Sequence, residues 1–324
     1  MAATAEKPTT SRRLISLLET WGVLLVFALI FLIFSLLSPE LFLTWGNIVT
    51  IFDQTSIVIL LAVGLTFVLA AGEFDLSFPY LFVLVSGATV AAMTTSGFAV
   101  VPAVILGLGV GAAAGAVNGA IVATKRASSF IITLALGSAY TGVMIAIAGP
   151  SPIAVGVPPA YGEIAFHIGD ISAVMIAAGV VSVIAAITLR STVFGRYVQA
   201  TGSNPEAAAI AGVNVRLIRI GAFMVLGVCV AIASILQSSI SSAHYPDAGT
   251  SLFLPPFVAA FIGTSVLARG RFNVFGTVVG ALFISTLQTG LLVQDAAVWV
   301  ISVLEGGVLL AAVLMAHQRQ GRLG

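Results

Sequence analysis

Apolar residues run through this chain in long blocks, and the interruptions are Pro, Gly, charge or short polar clusters. A helix needs about 20 residues to cross roughly 30 Å of hydrocarbon. Cutting the blocks on that measure predicts ten apolar segments, at 21–38, 47–71, 79–96, 100–124, 129–149, 170–189, 220–241, 255–268, 274–293 and 297–316. The eighth, built on PPFVAAFIGTSVLA, is too short to cross alone and reads as a half-span. Its Thr264 and Ser265 either face an axis or satisfy helix carbonyls. The pattern predicts an all-α, polytopic membrane protein of about ten transmembrane helices, one or two of them short or discontinuous. It forms a single domain over residues 1–324, with a cytoplasmic segment at 1–20 and one long cytoplasmic loop at 190–219.

Composition sharpens this. Of 324 residues, 59% are hydrophobic and 8% charged, and the mean hydropathy is +1.16, which excludes a soluble two-domain chain. Thirteen Lys+Arg against twelve Asp+Glu leave a net charge of +1, so no basic face exists for nucleic acid. The apolar run from Trp21 has no clear cleavage site and reads as a signal anchor. The lone Cys229 lies in an apolar stretch and reads as a small buried residue, not a disulfide or metal ligand.

Basic residues are retained in cytoplasmic loops. An inside N-terminus places every Lys and Arg inside: Lys7, Arg12 and Arg13, then Lys125 and Arg126, then Arg190, Arg196, Arg216 and Arg219, then Arg269 and Arg271, then Arg319 and Arg322. The loop GEFDLSF at 72–78 has neither residue, so its place is either cytoplasmic or buried.

Gly107, Gly111, Gly115 and Gly119 recur every fourth residue, forming a smooth stripe that lets helix backbones approach closely. Asn118 beside it either bonds across helices or faces a pathway. Trp21, Trp45, Tyr80, Tyr161, Tyr197, Tyr245 and Trp299 sit near segment ends, as interfacial anchors do. There is no G-x-x-x-x-G-K-[ST] loop, so the chain does not hydrolyse ATP itself, and no H-E-x-x-H. His167, His244 and His317 are too scattered for a metal site.

An ionisable side chain near the bilayer centre costs about 2.5–3.5 kcal/mol and is a functional candidate by default. Glu305 lies mid-segment in AVWVISVLEGGVLLAAVLMA. It serves either a pathway or a structural bond, to a neighbouring helix or to Arg269 or Arg271. Glu73, Asp75 and Ser77 follow a long apolar segment and precede Pro79, a pattern that fits a discontinuous helix lining a cavity. An acidic inside loop is the plainer alternative. Gln54, Thr55, Ser56 and Asn118 complete the pathway candidates, and Asp53 fits an interface.

The long inside segment, LRSTVFGRYVQATGSNPEAAAIAGVNVRLIRI, contains a capped short helix. Ser203 or Asn204 is the N-cap, Pro205 and Glu206 suit the first turn, an Ala-rich run propagates and Gly212 closes it. A rigid, capped helix among four arginines reads as a docking surface.

Its core, FGRYVQATGSNPEAAAIAGVNV, resembles the cytoplasmic signature of ribose-type permeases, the membrane subunits of ABC importers for simple sugars. QTSIVILLAVGLTFVLAAGEFDLS, SSFIITLALGSAYTGV, AHYPDAGTS and FGTVVGALF extend the resemblance along most of the chain. It implies a cobalamin-importer-like (type II) fold in the branched-chain amino acid/ribose permease superfamily, located in the bacterial inner membrane with both termini cytoplasmic. It makes Gly202, Asn204, Pro205, Glu206, Ala207, Ala208 and Gly212 the coupling element that docks on an ABC ATPase. It also implies a second permease copy or paralogue and a periplasmic sugar-binding protein. ATP and magnesium are then used by the ATPase, and this chain binds no cofactor. Three departures accompany it: Gly72-Glu73-Phe74-Asp75-Leu76-Ser77 where relatives have Gly-Gly-Ile-Asp-Leu-Ser, no acid ahead of the eighth segment, and VLARGRFN in place of a glycine-rich turn. The rival from another class is a proton-coupled secondary transporter using Glu305, Glu73 or Asp75. An intramembrane enzyme lacks a Ser/His or paired-Asp arrangement.

Overall fold

The computed structural model describes residues 10–124, 127–266 and 270–320. In chain order its helices are α1 Thr10–Leu37, α2 Pro39–Phe42, α3 Trp45–Ala70, α4 Phe78–Thr94, α5 Val100–Thr124, α6 Ser129–Ala148, α7 Pro159–Gly162, α8 Ala173–Ser191, α9 Val193–Ser203, α10 Pro205–Ile210, α11 Val215–Ser241, α12 Leu254–Gly263, α13 Val274–Val293 and α14 Val298–Gln320. Among the described residues, seven helices are long and apolar enough to cross a membrane, and Gly22–Leu37, Phe78–Thr94 and Thr250–Gly263 are shorter apolar stretches. A two-stranded pairing, His167–Ile168 with Ile171–Ser172, precedes α8.

The central element is α3. Every residue from Thr55 to Leu69 is buried, as expected for a helix that is apolar all round. On one side α11 and α5 pack along the glycine stripe. A Cβ on Gly111 would stand 2.5 Å from the carbonyl oxygen of Gly227, and one on Gly115 2.4 Å from that of Phe223. Gly107 and Gly119 are equally tight, at 2.2 Å from Thr89 Oγ1 and 2.6 Å from Ile220 Cα. Two backbones in contact gain dispersion energy that apolar side chains in lipid cannot supply by burial. On the other side α12 and α13 fold tightly together. A Cβ on Gly276 would meet Gly263 O at 2.1 Å, and Asn273 caps α13 while donating Nδ2 to Gly263 O at 3.0 Å.

The eighth segment is short, as expected: α12 has ten residues and covers about 15 Å, half the length needed to cross the hydrocarbon. Thr264 Oγ1 donates to Phe261 O at 2.7 Å, so it satisfies a helix carbonyl. Ahead of α12 the chain packs against the bundle. After Ser242 closes α11 at φ 45°, the chain turns back beside α4. His244 Nδ1 lies 2.8 Å from Ser86 Oγ, Gly249 abuts the Pro79 carbonyl, and Phe253 stacks on Phe78 at 6.5 Å. From Ser86 to Phe78 is about 12 Å along a helix, so residues 244–253 descend that far before α12 begins. Backbone pairing of His244 with Ile153 holds the descent. The expectation for Tyr161 is corrected. The residue is fully buried, with its hydroxyl 2.6 Å from Ser238 Oγ, and is a packing residue instead of an interfacial anchor. Trp45, 65% exposed, and Trp299, 70% exposed, lie at the surface as expected. Lys7, Lys125, Arg126, Arg269 and Arg322 lie outside the described residues.

Candidate functional site

Three features concentrate the polar chemistry: the interruption between α3 and α4, the lever formed by α9 and α10, and a cavity at the opposite end of α3.

The interruption begins where α3 stops. Gly72, at φ 81°, donates to Leu69 O, and Glu73 N donates to Val68 O at 3.1 Å, the paired bonds of a left-handed helix cap. Irregular backbone inside a bundle must be satisfied locally. Phe74 N donates to Ser129 Oγ at 3.0 Å and Leu76 N to Thr133 Oγ1 at 2.9 Å. Asp75 Oδ1 accepts from both the amide and the hydroxyl of Ser77 at 2.6 Å, which starts α4. Asn118 Nδ2 donates to Ser77 Oγ at 2.7 Å and to Asp75 Oδ2 at 3.2 Å, and Tyr140 donates to Asn118 Oδ1. The polar side chains of the loop at 72–78 are therefore buried, while its Gly72 and Phe74 are exposed: Asp75 is 2% exposed, and Ser77 and Asn118 are fully buried. The three meet as one closed network across α4, α5 and α6, and none lines the cavity described below. Sequence reasoning passed over Ser129, Thr133 and Tyr140. Their spacing of four and then seven puts them on one helix face, a signal that was available.

Glu73 stands apart from this network. Its Oε1 lies 2.7 Å from Nε of Arg219 at the start of α11. Immediately below, the lever touches the end of α3 backbone to backbone. A Cβ on Gly202 would stand 2.1 Å from the Ala70 carbonyl oxygen and one on Gly72 3.2 Å from Gly202 Cα. Phe194 of α9 stacks on Phe67 of α3 with ring centroids 6.3 Å apart.

The lever is more helical than expected, because α9 precedes the short helix. Thr192 caps α9, and Asn204, not Ser203, caps α10 by accepting from Ala207 N at 2.9 Å. Gly212, at φ 86°, ends α10 with the same paired bonds that end α3, Gly212 N to Ala209 O and Val213 N to Ala208 O. Ala208 is buried and anchors the turn, whereas Pro205, Glu206 and Ala207 are exposed and Ile210 is 89% exposed. The outward face is therefore small, acidic and apolar.

At the other end, α3, α8, α11, α12 and α13 enclose a cavity of about 430 Å3. Asp53, Gln54, Gln237, Ser251, Ser285 and Gln288, with His167 and Ser172 ahead of α8, supply its polar lining. Asp53 accepts from Ser172 Oγ, and Gln288 donates Nε2 to Glu305 at 2.6 Å. Ser285 Oγ is buried with no partner. No described Lys or Arg lines the cavity. Of the expected trio only Gln54 reaches it. Thr55 and Ser56 bond their own helix carbonyls, Ile51 O at 2.5 Å and Phe52 O at 2.7 Å. Glu305 touches the site only through Gln288. Pairing with Arg271 is excluded by distance, since Gln288 stands about 21 Å along α13 from the helix start that Arg271 precedes. Gln237, Ser285 and Gln288 were missed because single polar residues in apolar helices carry no motif.

A second cavity, of about 570 Å3, lies where the descending segment meets α4 and α6, beside Tyr80, Thr141, Met144, Thr250 and Phe253. It offers little free polarity, because Thr141 and Thr250 hydroxyls bond Gly137 O and Asp247 O. Among the described residues, no group of three or more His, Cys, Asp or Glu is placed to hold a metal ion.

The family model described as "Branched-chain amino acid transport system / permease component" matches residues 47–313. The chain is 32% identical to the ribose import permease protein of Escherichia coli (strain K12), over 94% of this chain and 95% of that one. It is 34% identical to the ribose import permease protein of Bacillus subtilis (strain 168), over 93% and 94%. With the galactofuranose transporter permease protein of Escherichia coli (strain K12) it shares 32% identity over 91% and 89%. No solved structure matches the chain.

Proposed function

The chain belongs to the family of branched-chain amino acid transport system permease components, in its ribose-type branch, and from that premise we propose that it carries a simple sugar or sugar-like polyol through a membrane. It is a multi-pass membrane permease and not an enzyme. Its partners are an ABC ATPase that uses ATP and magnesium, a second permease copy or paralogue, and a periplasmic binding protein that hands over the solute. The fold is the ten-pass type II arrangement, the three shorter apolar stretches completing the count. Both termini are cytoplasmic in a bacterial inner membrane. Arg190, Arg196 and Arg271, gathered at the lever's end of the bundle, support that orientation.

The observation that carries the reading is the lever. It is capped at both ends of α10, its outward face exposes Glu206 and Ile210, and its inward side meets α3 through Gly202 and Gly72. A contact between two backbones transmits displacement without the slack of long side chains. ATP-driven closure of the docked ATPase pushes α9, hence the end of α3 and the network-locked start of α4.

The solute's way in is the outer cavity. Glutamine amides and a serine hydroxyl both donate and accept, as sugar hydroxyls require, and the unpartnered Ser285 leaves that capacity free. Gln54 carries the pathway role. Asp75, Ser77 and Asn118 hold the interruption's shape, and Glu73, through Arg219, ties it to α11.

The test uses the assembled importer in proteoliposomes. Glu206→Arg is expected to abolish sugar-dependent stimulation of ATP hydrolysis while the permease still inserts and folds, and normal coupling in that variant would remove the docking role. Uptake by the permease alone under a pH gradient, without ATP, would instead favour the proton-coupled transporter.

A further inference from the structure

The lever's end of the bundle holds a cavity of about 990 Å3 that neither the solute's route nor the lever's outward face uses. Three arginines line it, each from a different element: Arg190 from the last turn of α8, Arg196 from the first turn of α9, and Arg271 from the link that leads into α13. Gln199, Ser203 and Asn273 add polar groups around them. No described Asp or Glu lines the cavity. Among the described residues the one ion pair, Arg219 with Glu73, uses neither these arginines nor this cavity. Arg196 spends a single bond on the Ser191 carbonyl, at 3.3 Å. Three like charges around one space repel each other, and an anion placed between them reverses the sign of every one of those interactions.

A second observation says what kind of anion. Along α8, Val183 and Ile187 lie two turns and one turn before Arg190 on the same face, 59% and 57% exposed. Across the opening Phe275 of α13 is 57% exposed. An apolar strip therefore runs along the membrane-spanning part of α8 and ends in guanidinium groups. A soluble phosphate has no use for the strip, and an acidic protein surface would reach the arginines without it. A phospholipid uses both.

We infer that this cavity is a site for an anionic phospholipid, its phosphate held by Arg190, Arg196 and Arg271 and an acyl chain lying along Val183, Ile187 and Phe275. Guanidinium forks suit phosphate oxygens, and basic pockets at the cytoplasmic side of helix bundles suit such headgroups. Because the three arginines come from α8, α9 and the foot of α13, the bound headgroup ties the lever to the bundle. Coupling between ATP hydrolysis and transport then depends on anionic lipid. This inference rests on membrane embedding and not on the identity of the solute.

The test is native mass spectrometry of the full-length permease titrated with phosphatidylglycerol or phosphatidylcholine of the same chain length. The native chain should retain phosphatidylglycerol in preference. Each Arg→Gln change should weaken that retention about fivefold and the triple change about a hundredfold, while Arg→Lys at all three positions keeps part of it and serves as the folded control. Equal retention of the two lipids, or undiminished phosphatidylglycerol binding in the triple Gln variant, overturns the inference. So does a triple variant that keeps the lipid preference but loses the ATPase on co-purification, which would give the arginines to the protein partner. In reconstituted importer, coupled uptake should rise with phosphatidylglycerol content in the native complex and not in the triple variant. The same response in both also overturns it.

Discussion

Two polar groups lie inside this apolar bundle, and they differ in how completely they are satisfied. Asp75, Ser77, Asn118 and Tyr140 use one another fully and close around an interruption in the helices. Gln54, Gln237 and Ser285 border open space, and Ser285 has no partner at all. A saturated network leaves nothing for a ligand and fixes backbone geometry, whereas an unsaturated lining keeps its bonds for a solute that arrives with hydroxyls of its own. Both groups contain residues that, as single letters, look like pathway candidates. Their partners separate them.

The contrast breaks most visibly at the saturated end. Asp75→Leu removes the acceptor of three bonds and leaves buried donors unpaired, so a loss of about 3–5 kcal/mol is expected. Thermal unfolding of the detergent-solubilised permease should show a large drop in midpoint or failure to accumulate. A drop no greater than that of a surface change would mean the network is dispensable. Next comes the packing that carries the network. Gly115→Ala pushes a methyl toward the Phe223 carbonyl, with an expected cost of about 1–3 kcal/mol, whereas Gly142→Ala, where nothing lies within 4 Å, should be nearly silent. Equal effects at the two positions would contradict the close approach of α5 and α11. Smaller again is the Glu73–Arg219 pair, whose side chains are 11% and 24% exposed. A double-mutant cycle with Glu73→Gln and Arg219→Gln should return about 1 kcal/mol of coupling energy, and zero coupling would show that the two move apart in solution. At the unsaturated end, Ser285→Ala should change stability by less than about 0.5 kcal/mol, because no bond is lost, while it raises the solute concentration for half-maximal uptake. A marked loss of stability would mean that Ser285 has a structural partner.

Much of the scaffold is legible in the sequence because bilayers impose length and polarity rules on each segment separately. The glycine stripe, the half-span at α12 and the Asn204 and Gly212 caps all follow from spacing or from local backbone chemistry. The descending segment at 244–253 is not legible this way. Its polar residues, such as His244, look like loop residues until Ser86 is known to face them. Tyr161 was misread for the same reason, since only Ser238 on a distant helix explains its burial. The acid at position 73, a departure from the family pattern, becomes intelligible once Arg219 is seen beside it. In the cavity beside Gln54 only that residue was a pathway candidate, because Gln237, Ser285 and Gln288 come from two other helices and converge only in the folded bundle.

The most direct measurement is solute uptake by the reconstituted importer carrying Gln54→Leu together with Gln237→Leu. Uptake should fall at least about tenfold, each lost polar contact contributing on the order of 1 kcal/mol, with the unfolding midpoint and the ATPase complex intact. Unchanged uptake by a folded, ATPase-bound double variant would contradict the assignment of the outer cavity as the solute's way in.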